Sequence, residues 1–377
     1  MHEFNFLSGL FAYEPGELPV LSIYLNTEPN QTGRKDFRAF LKKQFADHIA
    51  VTEKSSEKRA SLENDERKVM AFADELDPAV RGAAIFTSSG AGFFKTFEYS
   101  VPFNADKFFL FDRPRIFPLA ELVDENPRFA AALVDTNAAR IFIFNRGETV
   151  RQEEIQNTKT NRTEVGGWSQ MRFQRHIENF HLQHAKEVAE ELARIVRKDR
   201  IDRIVLAGDE TVIIPLLRRH LVEEVDRCVL GVLPLNVHTP EHELFKRCES
   251  AVREFRENEN RGRVEYLLEH NYTNGAGVAG VESTLRALLN GEVQELFISS
   301  DPASVNYNSK DIEQVFLDYG KVAKIPDLSD HTALIDEVLK YGVGSVERIR
   351  FVPNLDELKK VDGIGAILRF KASGATQ

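Results

Sequence analysis

The residues best suited to chemistry lie in one window of the sequence, positions 157–186. Gly166 and Gly167 stand directly before the only tryptophan, Trp168. The window holds five Lys and Arg residues against two Asp and Glu, and three of the ten histidines. Its cations open a predicted helix, although acidic residues are usually favoured there because a helix start carries partial positive charge. Such a local concentration of cations is typical of a site that meets phosphate groups.

The charge of the rest of the chain sets this window apart. The net charge of the 377 residues is −10, yet residues 128–262 hold equal numbers of basic and acidic side chains. The excess negative charge therefore lies in the regions that flank this part of the chain. This distribution favours a phosphate-bearing partner that meets the protein at one place and is repelled elsewhere.

Two predicted elements position the window: a polar loop over 156–167 and a helix from about Met171 to Lys198. The loop ends in glycines, and the helix is predicted from apolar residues at steps of three, four and, once, eight. These residues are Phe173, Ile177, Phe180, Val188, Leu192 and Ile195. Upstream, "RFAAALVDTNAARIFIFNRGETVRQEEI" predicts three strands joined by two turns, and downstream strands and helices alternate. An α/β layer fold is therefore expected.

We predict an α/β protein of three domains. Residues 1–127 form an N-terminal α/β domain with a buried strand "PVLSIYLNT", a helix through the charged stretch 34–76 and a hairpin at "GAG". Residues 128–265 form a central domain that carries the window. Residues 266–377 form a C-terminal α/β/α sandwich of normal domain size, in which Gly291 ends a helix.

Composition places the chain among soluble globular proteins, with 42% hydrophobic and 29% charged residues. It lacks a run of about 18 apolar residues, so no transmembrane helix and no membrane partner are expected. The N-terminus lacks the basic start of a secretory signal. The two cysteines, Cys228 and Cys248, match neither a disulfide framework nor a zinc motif. A reducing, cytoplasmic location is the simplest expectation.

Four motifs in order resemble the archaeo-eukaryotic class I peptide chain release factors. "GGWSQMRFQRH" resembles their catalytic loop and the basic helix that follows it, and "IVLAGDE" resembles a strand end of the same central domain. "GVAGVESTLRALLNGEVQELFISSD" and "DGIGAILRF" are similar to a helix-to-strand unit and the closing strand of the third domain. The resemblance implies an RNase H-like mixed sheet in the central domain. It also implies a C-terminal domain like the kink-turn-binding ribosomal proteins.

The sequence departs from the family in two places. Trp168 stands where the family has its glutamine, and Gln170 follows two positions later. This spacing looks like the divergent Pelota/Vms-like and bacterial members, in which a Gly-x-x-Gln loop occurs. The first domain also lacks the Asn-Ile-Lys-Ser motif used to read stop codons. The resemblance therefore implies a bacterial release-factor-like protein of ribosome rescue, not of stop-codon decoding.

The resemblance also implies roles for the residues of the window. Catalysis is hydrolysis of the peptidyl-tRNA ester, in which the uncharged amide of Gln170 orients water. Gly166 and Gly167 give the loop the backbone freedom and thin profile to enter a narrow RNA tunnel. The residues expected to bind RNA, by phosphate contacts or base stacking, are Lys159, Arg162, Trp168, Arg172, Arg175 and His176.

The same resemblance implies the partners of the protein. They are the large ribosomal subunit, peptidyl-tRNA and rRNA, with a partner protein or rRNA for the C-terminal domain. No cofactor and no metal are expected.

The residues of the window also have structural interpretations. Ser169 is suited to be the N-cap of the helix, and Trp168 to pack against its own domain. Arg172 and Arg175 could pair with Glu178 on a solvated helix face. A glutamine displaced by two positions is also compatible with a non-catalytic factor that binds RNA or the ribosome.

Two further groups of residues could hold a metal. Asp135 and Asp209 follow predicted strands and could bind Mg²⁺ in an RNA nuclease, although a turn start and a helix N-cap are the better-supported interpretations. His181 and His184 share a helical face, but no carboxylate cluster accompanies them, so solvated histidines are the expectation.

Overall fold

A computed structural model describes residues 4–14, 16–29, 36–156, 169–273, 275–320, 330–353 and 355–370. The chain divides into two compact units, one formed by residues 1–126 and 259–377, the other by residues 127–258. Each of the three predicted domains has a sheet of its own in the described residues. The division into three domains itself stays a prediction.

The described residues of the N-terminal segment form a four-stranded antiparallel sheet in the order β3-β2-β1-β4. Its elements are α1 (Ser8–Phe11), β1 (Val20–Asn26), α2 (Phe37–Val51), α3 (Glu57–Glu75), β2 (Gly82–Ser88), β3 (Phe93–Tyr99), β4 (Lys107–Phe111) and α4 (Phe117–Glu125). The predicted first strand and the β2–β3 hairpin are present. The single helix predicted over 34–76 is two helices, because Ser56 starts α3 and its Oγ accepts a hydrogen bond from the N–H of Arg59 (3.2 Å).

The central unit contains a mixed sheet in the order β7-β6-β5-β8-β9 among its described residues. Its elements are β5 (Phe129–Val134), β6 (Ala138–Asn145), β7 (Glu148–Gln156), α5 (Ser169–Asp199), β8 (Ile204–Gly208), α6 (Ile213–Arg218), α7 (Glu223–Asp226), β9 (Val229–Leu233) and the first part of α8 (Glu241–Tyr272). The first three strands are an antiparallel meander, and β5, β8 and β9 run parallel. This is the RNase H-like arrangement that the family resemblance implied.

Helices cover both faces of the central sheet. Side chains of β5 alternate, so that Ala130 and Ala132 face a core shared with α5 and α6, whereas Ala131 and Leu133 face a core shared with α8. Cys248 of α8 is fully buried in the second core, and burial raises the pKa of its thiol to about 12.

The C-terminal segment forms a mixed sheet in the order β10-β13-β11-β12 among its described residues. Its elements are β10 (Gly277–Ala279), α9 (Val281–Leu289), β11 (Val293–Ser299), α10 (Ser309–Asp318), α11 (His331–Gly342), β12 (Arg348–Val352), α12 (Asp356–Lys359) and β13 (Ile364–Leu368). One face packs against α9, α10 and α11, the other against α12 and the end of α8. The predicted α/β/α sandwich is confirmed. Gly291 follows α9 with φ of +73°, as predicted for a glycine that ends a helix.

The N-terminal and C-terminal segments share a hydrophobic core within their unit. The buried carboxylate of Asp336 in α11 accepts hydrogen bonds from the N–H groups of Ile116 (2.9 Å) and Phe117 (2.7 Å), at the start of α4. At the other end of α4, Asp124 accepts a hydrogen bond from the N–H of Phe351 (3.0 Å). Helix α4 is therefore held at both ends by groups of the C-terminal segment.

Candidate nucleic-acid interface

The predicted site residues fall into two groups in the structure. Lys159, Arg162, Gly166, Gly167 and Trp168 lie outside the described residues. The remaining predicted site residues belong to the first two turns of α5, where the structure describes the backbone but not the side chains. They are Gln170, Arg172, Arg175 and His176.

Helix α5 begins at Ser169, two residues earlier than predicted, and Gln170 is its second residue. The first four N–H groups of a helix have no partner within it, and the N–H of Gln170 is one of these. The first turn contains no acidic residue that would offset the positive end of the helix. The backbone at Gln170 is therefore suited to receive an anionic or strongly polar group.

The C-terminal half of α5 is fixed on the central sheet. Its buried residues repeat at helical spacing and pack against β5, β6 and β8. They are Ala185, Val188, Ala189, Leu192, Ala193, Ile195 and Val196. Gln170 lies 14 residues before His184, the first fully buried position among the described residues of the helix, or about 21 Å along a helix axis.

His184 is buried, and the expectation of a solvated histidine is wrong at this position. Burial lowers the pKa of its imidazole, an effect opposed by a hydrogen bond with the backbone of Ala138 and by the charge of Asp135. His184 thus connects α5 to the turn between β5 and β6. The period of the apolar stripe contained this signal, because His184 is four residues before Val188 on the same face.

The strand before the predicted loop is tied to the helix after it by ion pairs. Arg151 of β7 bonds to Asp199 of α5 (2.9 Å) and to its strand neighbour Glu153. Glu153 also pairs with Arg194 of α5 (3.0 Å). The hydrogen bond from Arg151 lowers the pKa of the Glu153 carboxyl. Both elements that flank residues 157–168 are therefore held to each other.

The two carboxylates considered for Mg²⁺ serve their own turns. Asp135 accepts hydrogen bonds from the N–H groups of Asn137 and Ala138, both at 2.6 Å. Asp209 accepts hydrogen bonds from the N–H groups of Thr211 and Val212, and bonding to Thr211 lowers its pKa. Within the described ranges, no three His, Cys, Asp or Glu residues are grouped as metal ligands would be. Asp135 thus holds a turn, as the sequence favoured. Asp209 holds the turn before α6, whose N-cap is Val212, so the prediction of Asp209 as a helix N-cap is wrong.

Gly208, the last residue of the "IVLAG" motif, has a steric reason to be glycine. A Cβ at this position would overlap the carbonyl oxygen of Val134 on the neighbouring strand. Strands β5 and β8 pair in parallel up to these two residues. The glycine of the motif therefore allows the backbones of β5 and β8 to approach closely at the ends of the two strands.

Sequence reasoning missed a groove in the central unit. The groove has a volume of about 660 Å³ and lies beside the C-terminal half of α5. Its charged and larger lining side chains are Lys186, Glu190, Arg194, Arg197, Lys198, His220 and Val222. We call it the basic groove. The cations of α5 repeat at helical spacing, and this pattern could have predicted a basic helix surface. It was missed because most of the cations that line the groove lie beyond residue 186, the end of the window.

In the part of the chain that the structure describes, no helix has the length and apolar character needed to cross a membrane.

Comparison with protein families identifies the central part of the chain. Residues 114–253 match the family described as bacterial archaeo-eukaryotic release factor family 10. This range contains the whole window 157–186, and the match confirms the resemblance that the motifs indicated. No curated protein has a significant match to the chain.

Solved structures of translation factors are similar to the chain at low sequence identity. Pelota of Archaeoglobus fulgidus is 15% identical over 78% of this chain and 80% of its own, with a TM-score of 0.34. Dom34 of S. cerevisiae, described as a translation termination-like factor, is 14% identical over 78% and 80%, with a TM-score of 0.43. A model of ribosome-bound archaeal Pelota and ABCE1 is 12% identical over 98% and 94%, with a TM-score of 0.42.

Proposed function

We propose that this protein, whose residues 114–253 belong to the bacterial archaeo-eukaryotic release factors, hydrolyses the peptidyl-tRNA ester during ribosome rescue. The observation that carries the proposal is that the family match includes the stretch from Gly166 to Gln170. The protein would act in the cytoplasm on the large ribosomal subunit and would not decode stop codons. A partner protein or rRNA would meet the C-terminal domain.

The reaction is attack of a water oxygen on the carbonyl carbon of the ester between peptide and ribose. The bond to the ribose oxygen breaks, the peptide leaves as a carboxylic acid, and the ribose oxygen takes a proton. Gln170 would hold the water, because its amide donates and accepts hydrogen bonds without ionising. Free N–H groups at the start of α5 would stabilise the negative charge that develops on the carbonyl oxygen.

The cations at the start of α5 would bind phosphate. Arg172, Arg175 and His176 lie within two turns of the helix start, where anionic groups are attracted by the helix dipole. The remaining predicted RNA-binding residues, Lys159, Arg162 and Trp168, would add phosphate contacts and base stacking. Gly166 and Gly167 would give the chain the thin profile needed near the ester.

The second candidate is a non-catalytic factor that binds RNA or the ribosome. The observation that favours it is the start of α5 at Ser169, which places Gln170 within a helix. Helical backbone angles restrict the directions in which the Gln170 amide points. A glutamine restricted in this way could bind RNA without placing a water at the ester.

Peptide release distinguishes the two candidates. Purified protein is added to large ribosomal subunits that carry peptidyl-tRNA, and released peptide is measured for wild type and Gln170→Ala. We expect Gln170→Ala to lower the rate by about 100-fold or more, the usual effect of losing a group that acts on the transition state. Gln174→Ala removes the same amide one turn later and is the matched control, with an expected rate within about threefold of wild type.

Three results would change the proposal. Equal release by wild type and Gln170→Ala would remove Gln170 from the mechanism. Retained subunit binding with no release by wild type would establish the non-catalytic factor. A comparable loss in Gln174→Ala would show that the start of α5 is sensitive to any substitution.

A further inference from the structure

The basic groove is lined by four Lys and Arg side chains and by the carboxylate of Glu190, and two of the four cations are paired with acids. Lys186 and Lys198 are exposed, and the described residues contain no carboxylate paired with either. Arg197 pairs with Glu224 (2.9 Å), and Arg194 pairs with acids of α5 and β7. The two lysines are therefore the cations most available to an anionic partner.

The apolar lining of the groove consists of small side chains only. It consists of Ala189 and Ala193 of α5 together with Val222, which is 44% exposed. A helical peptide that binds in a groove usually inserts large apolar anchors into deep pockets. Two alanines and a valine offer no such pocket, but they permit close approach of a polymer backbone.

The dimensions of the groove suit an extended anion. Lys186 and Lys198 are 12 residues apart on α5, which is about 18 Å along the helix axis. Each strand of a DNA double helix carries one phosphate per ~3.4 Å of axis, so on the order of five phosphates of a strand wound in this way span this length. A single small anion would meet one of the two lysines only.

We propose that the basic groove binds the phosphate backbone of an RNA strand. This inference rests on the proposed function, because a ribosomal location supplies the RNA. Lys186 is 16 residues beyond Gln170, or about 24 Å along α5, so the groove would meet a segment of RNA distinct from the ester site. The contacts are made to phosphates and carry no base specificity.

Salt-dependent binding of a defined RNA tests this proposal. A labelled oligouridylate of about 20 nucleotides is titrated with the full chain between about 50 and 200 mM salt. In Lys186→Gln/Lys198→Gln, we expect Kd near 0.1 M salt to rise on the order of tenfold. We also expect the slope of log K against log salt to become shallower by about 1.4, as the loss of two single-strand phosphate contacts requires.

The matched control is Lys246→Gln/Arg247→Gln. It removes the same charge from two exposed residues of α8 that do not line the groove. We expect its Kd and slope to equal those of wild type. Circular dichroism melting is expected to be unchanged in both double variants, because none of the four side chains is buried.

Failure of the groove and failure of the proposed function give different results. An unchanged slope in the lysine variant, or an equal loss in the control, would overturn the groove as an RNA site. Polyglutamate of similar length is a further competitor. If it displaces the oligouridylate, and if its own binding is lost in the lysine variant, an acidic protein partner would replace RNA in the proposal. Gln170→Ala tests release alone, and it is expected to bind oligouridylate with the slope of wild type.

Discussion

Gln170 shows how the position of a residue determines which of its groups can react. As the second residue of α5, it offers a backbone N–H that the helix leaves free, besides its side-chain amide. In the proposed reaction, its displacement by two positions from the family pattern therefore leaves the backbone N–H as a hydrogen-bond donor. The release assay with Gln170→Ala tests the side chain and leaves this backbone group in place.

Gly208 is the residue whose replacement has the clearest steric cost. In Gly208→Ala the new methyl group would overlap the carbonyl oxygen of Val134, so β5 and β8 would have to separate. We expect a loss of roughly 1–3 kcal/mol in the free energy of unfolding, the usual cost of overpacking. Chemical denaturation of the full chain measures this loss.

A second glycine in the same sheet provides the control. Gly231 of β9 has no heavy atom within 4 Å of an added Cβ. Gly231→Ala is therefore expected to change stability little or to raise it slightly, because glycine costs more backbone entropy on folding. Equal destabilisation by both substitutions would contradict the steric explanation for Gly208.

At the scale of elements, a buried arginine adds polar contacts to the apolar packing of α8 on the C-terminal sheet. Arg350 of β12 bonds to Glu259 (2.9 Å) and Asn260 (3.0 Å) of α8 and to Glu295 of β11 (2.9 Å). The carboxylates raise the pKa of its guanidinium against the opposing effect of burial. The arginine thus joins two strands and a helix through charge-assisted hydrogen bonds.

Replacement of this arginine should cost more than replacement of a surface arginine. In Arg350→Met, Glu259 and Glu295 lose a partner but keep Arg348 and Arg263, and we expect a loss of roughly 1–3 kcal/mol in unfolding free energy. Arg286→Met, which breaks more exposed pairs with Glu282 and Asp318, should cost about 0–1 kcal/mol. Similar denaturation midpoints for the two variants would contradict this ranking.

The elements also show where sequence patterns were sufficient. Apolar runs separated by turn residues predicted β5, β6 and β7, and the helical stripe predicted α5, because these local patterns report directly on burial. The break between α2 and α3 was missed, since Thr52 to Ser56 contain neither glycine nor proline.

At the scale of the molecule, the joint between the N-terminal and C-terminal segments depends on protonation. Burial raises the pKa of Asp336 to about 7, although Arg115 and the two N–H groups at the start of α4 oppose this rise. The folded state therefore holds the proton more tightly than the unfolded chain. The stabilisation is complete below the unfolded pKa near 4 and is lost as pH rises through about 7.

Asp336→Asn should remove the part of the pH dependence that this carboxyl contributes. Asparagine keeps an oxygen that can accept the hydrogen bonds from Ile116 and Phe117, but it does not ionise. From pH 4 to pH 8, we expect the stability of the variant to rise relative to wild type by roughly 2–4 kcal/mol. Urea unfolding at several pH values measures the difference, and a constant difference would refute a buried titrating carboxyl.

Glu121 provides the comparison for this experiment. Burial and the nearby charge of Glu125 raise the pKa of Glu121 to about 7 as well. Glu121 therefore makes a second contribution of the same sign to the pH dependence of stability, and this contribution remains in Asp336→Asn. Asp336→Asn is therefore expected to reduce the pH dependence of wild type without abolishing it. Glu121→Gln should remove the remaining part.

The joint itself could not be predicted from the sequence. Asp336 and Ile116 are 220 positions apart, and no local pattern indicates that a carboxylate of α11 accepts bonds at the start of α4. Three sheets were predictable because each is encoded by short-range periodicity. The shared core of the first and last segments depends on contacts between distant residues, which composition and spacing do not record.

The length of α5 fixes the angular relation between the two surfaces proposed to meet RNA. Each residue of a helix advances about 1.5 Å and turns by about 100°, so one continuous helix sets both separation and phase between Arg175 and Lys186. Deletion of a single residue between them would rotate one set of cations away from the other. If one RNA contacts both surfaces, insertions and deletions between Arg175 and Lys186 would disrupt binding, even where single side chains there can be substituted.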